Sequence, residues 1–322
     1  MAWAPALPAP ITINGLNHIP PPSVEAFETK FAGILPEGYS LPSSWGVTRL
    51  YDFSPDADQS IRRVLLVHGV GTSCIGMAPL ALRLKAAGSH VVIFDLWGHG
   101  LSSTPLTAHV PAIFHTQIFE ILSYLKWSKA HILGFSRGGT IAATFVALHP
   151  QCAESLTLAA PAGWMRSSDY PWYVKAMTTE RWWGLYWLRR KAVLDFVIES
   201  ASKPKPDWKE RLRKGEVDMT AVQLWKRAHH RGHEKSVLSM FETLIVDHDD
   251  KFAMLPKSGV EMFLILGEKD PAVKPKEMRT FLTNMEWHVD IHEIKGAGHD
   301  VVRPCVDETA RVTNQFWAKL GI

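Results

Sequence analysis

The pentapeptide Gly134-Phe135-Ser136-Arg137-Gly138 decides how the rest of the chain reads. It fits G-x-S-x-G, but its flanks matter more than the match itself. Ala130-His131-Ile132-Leu133 before it is an apolar run with strand character, and Gly139 to Leu148 after it is a helical pattern rich in small residues. A serine on so sharp a strand-to-helix turn sits in strained backbone, with its hydroxyl projected above the sheet edge. The residues two before and two after must lack a side chain, or Cβ collides with the turn. Gly134 and Gly138 meet that demand. Gly139, Ala142 and Ala143 let the helix lie close to the sheet, and its N-terminus brings backbone N–H groups and a positive dipole end beside Ser136.

Working outward, the same alternation repeats on both sides. Upstream, Gly46 to Phe53 reads as a strand, and Val64-Leu65-Leu66-Val67 is a fully apolar strand ending in His68-Gly69-Val70-Gly71. Gly76 to Gly88 is a helix, Val91-Val92-Ile93-Phe94 a second buried strand, and Pro111 to Leu125 a longer helix. Continuous hydrophobic strands are those of a parallel sheet covered on both faces. Downstream, Ser155 to Ala160 and Glu261 to Leu266 are strands, Lys274 to Met285 a helix, Val289 to Ile294 a short strand and Arg303 to Leu320 a closing helix. Strands alternating with helices predict an α/β fold with right-handed crossovers, whose chemistry collects at the C-terminal strand ends.

Residues 163–256 break the pattern. They hold seven of the thirteen tryptophans, many charges and no convincing strand, which predicts a helical insertion above the sheet. The expected organisation is an irregular N-terminal arm over 1–45, a core made of 46–162 and 257–322, and a helical cap over 163–256.

Composition excludes several classes. At 322 residues, 46% hydrophobic and 21% charged, the chain has the make-up of a soluble globular protein. It has no apolar run of the roughly 18 residues a membrane span needs. Prolines interrupt residues 1–22, so no secretion signal is read there. Three cysteines, Cys74, Cys152 and Cys305, are too few and too scattered for a disulfide framework or a metal cluster, which suits a cytoplasmic setting. The net charge of +3 is regional, because residues 164–256 carry 17 Lys and Arg against 13 Asp and Glu. That surplus is too small and diffuse for nucleic-acid binding.

A serine hydroxyl needs a base, and the base needs a partner to hold its tautomer. Among fifteen histidines, His299 stands apart in Gly296-Ala297-Gly298-His299, a loop directly after the last strand. His68 also ends a strand but reads as a brace for its own loop. For the acid, Asp270 in Gly267-Glu268-Lys269-Asp270-Pro271 follows a buried strand, whereas Asp247, Asp249 and Asp250 lie in a charged, solvated segment and Asp95 precedes the serine.

Serine, then acid, then histidine is the chain order of an α/β-hydrolase. His68-Gly69, Asp95-x-x-Gly98-x-Gly100-x-Ser102, the turn at Ser136, Asp270 and His299 together resemble that superfamily in order and spacing. The resemblance covers about 46–162 and 257–320. It implies Ser136 as nucleophile, His299 as base, Asp270 as its orienting acid, and an oxyanion hole formed by the backbone N–H groups of Val70 and Arg137. This chemistry needs no cofactor, and no phosphate loop or metal-ligand cluster is read in the sequence. The Asp95–Ser102 segment is read as loop support, and the Arg137 side chain as turned into its helix rather than toward substrate.

Serine at the elbow argues against the dehalogenase and epoxide hydrolase branches, and nothing resembles the acidic pocket of an aminopeptidase. The first reading is a carboxylesterase or lactonase acting on a hydrophobic small molecule, with Trp182, Trp183 or Trp187 bordering the pocket. The runner-up is a carbon–carbon bond hydrolase of diketone-type substrates, and a third reading is a hydrolase-like small-molecule receptor. Arg181, Arg189, Arg190 and Lys191 beside these tryptophans resemble a membrane-surface helix, but a solvated basic face over a buried aromatic one is preferred.

Overall fold

Three apolar runs, β4 (Arg63–Val67), β5 (His90–Phe94) and β7 (Ala130–Phe135), form the centre of an eight-stranded sheet. The computed structural model describes residues 17–58, 61–164, 186–198, 203–243 and 249–321. Outside the centre lie β8 (Ala153–Ala159), β9 (Glu261–Gly267) and β10 (Asp290–Ile294) on one side, and β3 (Gly46–Asp52) and β2 (Gly38–Ser43) on the other. The order is β10-β9-β8-β7-β4-β5-β3-β2, parallel from β10 to β5, with β3 and β2 joined antiparallel. A two-residue ladder pairs β1 (His18–Ile19) with β6 (Thr104–Pro105).

Alternate residues of each central strand serve opposite faces, so both layers of helices find an apolar floor. Val64, Leu66, Val91, Ile93, Leu133 and Phe135 join one buried cluster with α2 (Ala78–Ala86) and α11 (Val306–Lys319). Leu65, Val67, Val92, Phe94 and Ile132 join the other with α3 (Pro111–Tyr124), α4 (Arg137–Leu148) and α10 (Pro275–Asn284). The helix expected from Gly76 starts as a 3-10 turn at Cys74–Met77 that runs into α2.

From residue 17 on, the described part of the N-terminal segment expected to be irregular over 1–45 carries regular elements. It contains α1 (Val24–Phe31), capped by the Ser23 hydroxyl, which accepts the Ala26 N–H at 3.2 Å, and then the edge strand β2. Phe27 and Phe31, one helical turn apart, are buried against Trp225 and Trp208, with ring centroids 4.9 and 5.5 Å apart. Their partners lie nearly two hundred residues away, so the local pattern shows only two isolated phenylalanines.

Between 165 and 256 the described residues form α5 (Tyr186–Ile198), α6 (Trp208–Arg213), α7 (Met219–His229), α8 (His233–Glu242) and α9 (Asp249–Phe252), with no strand among them. The Asp218 carboxylate caps α7 by accepting the Ala221 N–H at 3.1 Å. α8 begins close against the core: a Cβ on Gly232 would overlap the Thr104 side chain.

Candidate active site

β7 ends at Phe135 and α4 begins at Arg137, leaving Ser136 alone on the turn with φ 53° and ψ −122°. A non-glycine residue at positive φ costs on the order of 1–3 kcal/mol and persists only where its surroundings over-determine it. Here the Ser136 N–H donates to Ala159 O at 3.0 Å, and its carbonyl accepts the N–H groups of Gly139 (2.9 Å) and Ala162 (3.0 Å). A Cβ on Gly134 would overlap the backbone at Gly138, and one on Gly138 would overlap the carbonyls of Val67 and His68. Gly69 is the third requirement, since a Cβ there would lie 2.9 Å from that of Ser136.

The loops after β9 and β10 are neighbours because those strands pair in parallel. Lys269 N–H donates to Ala297 O at 2.8 Å, and a Cβ on Gly267 would overlap the Gly298 carbonyl, so the loops touch. They bring Asp270 Oδ2 to 2.8 Å from His299 Nδ1, while His299 Nε2 stands 2.9 Å from Ser136 Oγ. The other carboxylate oxygen, Oδ1, accepts the N–H groups of Ala272 (2.8 Å) and Val273 (2.9 Å). With Nδ1–H directed at the buried carboxylate, Nε2 is left with a lone pair facing the serine hydroxyl. The histidine ring remains partly open to solvent, 31% for its side chain, whereas that of Asp270 has none.

Val70 lies in the loop that leaves β4. Gly69 O accepts from the Thr72 hydroxyl (2.7 Å) and from His68 Nδ1–H (2.8 Å). The Gly69–Val70 peptide is trans, so anchoring its carbonyl aims the Val70 N–H the opposite way. The Arg137 N–H belongs to the first turn of α4, where no carbonyl four residues back is available. The Arg137 side chain is buried and turns away, its Nη2 donating to Thr243 O and Oγ1, each at 3.0 Å.

His68 braces its loop: Nε2 accepts the Leu96 N–H at 3.0 Å, so the ring is neutral. Complete burial drives its pKa down to about 3. Asp95 ties the next loop together. Its carboxylate accepts the N–H groups of Cys74 and Leu101, each at 2.8 Å, and its carbonyl accepts the Ser102 hydroxyl at 2.6 Å. Burial raises the Asp95 pKa, and the two N–H donors oppose the rise.

Sequence reasoning missed the groups that join α7 and α8 to these loops. Lys226 Nζ donates to Gly71 O and Thr72 O, each at 2.6 Å. His230 Nε2–H donates to Ser102 O and His233 Nδ1–H to Gly98 O, both at 3.0 Å. His99 Nε2 accepts the Gly71 N–H at 3.2 Å. The stretch from Lys226 to His233 looks like a solvated basic run, but Val222, Lys226, His230 and His233 recur at helical spacing and all are buried. Only Val222 of these four is apolar, so the sequence carries no signal of that buried stripe.

Trp187 is exposed, at 64%, and Trp182 and Trp183 lie outside the described residues. Trp164 stacks on Phe252 with centroids 4.1 Å apart, and with Trp208 and Trp225 it serves packing. Val70 packs against Val193, Leu194, Val237, Leu238 and Phe241 from α5 and α8.

Among the described residues, no helix is long and apolar enough to cross a membrane. The chain is 26% identical over 260 residues to Lipase 3 of Moraxella sp. (strain TA144), covering 79% of this chain and 76% of that protein. Over 260 residues it is 25% identical to Lipase 1 of Psychrobacter immobilis, covering 77% and 74%. Its fold matches a carboxylesterase structure from Nitrososphaera gargenis at TM-score 0.66 and 17% identity, covering 88% of this chain and 99% of that one. An esterase from Exiguobacterium antarcticum matches at TM-score 0.63 and 19% identity, covering 87% and 99%. The family described as serine aminopeptidase, S33, matches residues 58–304, and the chain belongs to that family of α/β-hydrolases.

Proposed function

We propose that the protein is a serine hydrolase that cleaves a carboxylic ester or lactone of a hydrophobic small molecule through an acyl-enzyme on Ser136. The observation that carries this reading is the unbroken line from Ser136 Oγ to His299 Nε2 (2.9 Å) and from Nδ1 to Asp270 Oδ2 (2.8 Å), with the serine held on a strained turn. Ser136 Oγ attacks the carbonyl carbon as its proton passes to His299 Nε2. Asp270 stays ionised and stabilises the imidazolium. The oxyanion receives the N–H groups of Val70 and Arg137, donors worth roughly 3–4 kcal/mol each. The imidazolium then protonates the departing alkoxide. A water, deprotonated by the same nitrogen, releases the acid and restores Ser136.

The two lipase relatives support ester over peptide substrates despite the family's aminopeptidase description. The apolar cluster of α5 and α8 around Val70 supports a hydrophobic acyl group, and the described helices α5 to α9 support reading 163–256 as a cap on a core of 46–162 and 257–322. The scattered free cysteines suit a reducing, cytoplasmic compartment.

The test is hydrolysis of p-nitrophenyl esters of graded chain length by the native protein and by Ser136→Ala. The expected result is activity in the native protein, lost by a factor on the order of 10⁴–10⁶ in the variant. The ester reading fails if both proteins are folded and silent, and carbon–carbon cleavage or a receptor role then takes its place.

A further inference from the structure

Lys226 is fully buried, and its ammonium faces backbone carbonyls at 2.6 Å. Burying a lysine is costly, and an apolar residue would serve packing alone better, as its neighbours Val222 and Trp225 do. What this lysine contributes follows from what it holds. Gly71 O and Thr72 O belong to the loop that carries Val70, and the Thr72 hydroxyl in turn donates to Gly69 O at 2.7 Å. Gly69 O shares its peptide plane with the Val70 N–H, so the direction of that N–H depends on where Thr72 is held. The opposite side of the same loop is pinned by His99, which accepts the Gly71 N–H at 3.2 Å.

We propose that Lys226 is a positioning residue, which from α7 clamps the Gly71 and Thr72 carbonyls and thereby keeps the Val70 N–H aimed at the oxyanion. The inference rests on the ester-hydrolase reading, and it makes the helical insertion a part of the oxyanion hole rather than only a cover. Of the groups that act on the ammonium, Asp95 favours its charge and Arg303 opposes it, while burial raises the pKa of the Cys74 thiol well above its usual value and keeps it neutral. The neutral rings of His68, His99, His230 and His233 complete the surroundings. Burial lowers the lysine's pKa to about 7, so its charge-assisted bonds to the loop weaken as the medium turns alkaline.

The experiment compares the native protein with Lys226→Met, which removes the donors, and Lys226→Gln, which restores a neutral NH2. Three quantities are read: kcat and KM for a p-nitrophenyl ester from pH 5.5 to 9.5, the rate at which a fluorophosphonate labels Ser136, and the thermal midpoint. In the labelling reaction Ser136 Oγ bonds to phosphorus, the P–F bond breaks, fluoride leaves and His299 takes the hydroxyl proton. Removing a whole oxyanion donor costs about 10²–10³ in kcat, so misaiming one is expected to cost about 10- to 100-fold in Lys226→Met. KM should stay within about twofold, since the hole acts on the transition state. Labelling should slow in parallel, and Lys226→Gln should recover part of both rates. The native protein should lose kcat above about pH 7, following the lysine's charge, and Lys226→Gln should show no such alkaline decline.

Native-like kcat and labelling in Lys226→Met overturn the proposal and leave the hydrolase reading intact. If Lys226→Met does not fold, Lys226→Gln decides: an alkaline decline equal to that of the native protein overturns the proposal, and its absence supports it. A native protein that neither hydrolyses esters nor labels at Ser136 overturns the hydrolase reading and this proposal with it.

Discussion

Asp270 and His299 are 29 residues apart in the chain, yet the carboxylate Oδ2 lies 2.8 Å from the imidazole Nδ1. Because Oδ1 is already held by the N–H groups of Ala272 and Val273, the carboxylate cannot rotate away from the ring. An amide at this position that keeps its carbonyl oxygen on those N–H groups would turn its NH2 toward Nδ1 and favour the wrong tautomer. Asp270→Asn is therefore expected to fold and to lose on the order of 10⁴ in kcat, measured on the preferred p-nitrophenyl ester. A loss of less than tenfold would remove Asp270 from the mechanism.

Ser136 is the strained residue of the turn, with φ 53°. Glycine adopts such backbone without the Cβ penalty. Ser136→Gly should be catalytically silent and yet more stable than the native protein by about 1 kcal/mol, read from urea unfolding. Equal or lower stability would mean that the strain at Ser136 does not exceed what glycine costs in unfolded-chain entropy.

Only the backbone of Val70 is assigned a chemical role. Val70→Ala should keep activity within about tenfold of native, since it loses apolar contact with α5 and α8 and no donor. Val70→Pro lacks the N–H and should fall by about 10² or more in kcat. Normal turnover by a folded Val70→Pro protein contradicts the oxyanion assignment.

The buried histidines are expected to make stability fall in acid. His68 and His109 have pKa values lowered to about 3 and His131 and His230 to about 4, with burial the main cause in each. His99 and His233 are also lowered, again chiefly by burial. The unfolded chain binds protons at these rings from about pH 6.5 downward while the folded one does not. Stability from these six groups is thus complete above about pH 6.5 and declines as the pH falls toward 4, by about 1.4 kcal/mol per pH unit for each proton taken up. Urea midpoints measured from pH 7 to 4.5 should fall steeply, and a flat series would mean these rings are not held neutral.

How much of this was legible in the chain differs by residue. Gly134, Ser136 and Gly138 could be read directly, because a strand, a one-residue turn and a helix leave room for nothing larger beside the serine. Asp270 and His299 could be read from their places after strands, since parallel strands deliver the following loops to one edge of the sheet. α1 could not be read, because Phe27 and Phe31 acquire meaning only against Trp225 and Trp208.

The local patterns of apolar strands, small residues and turn glycines were enough by themselves to determine the α/β core and the chain order of serine, acid and histidine, because those features act over a few residues. Tertiary structure alone decided that Lys226, His230 and His233 face inward onto the loops at Gly71, Ser102 and Gly98. A basic side chain carries no local mark of whether water or a carbonyl will meet it, and that choice is made only when a distant segment closes over it.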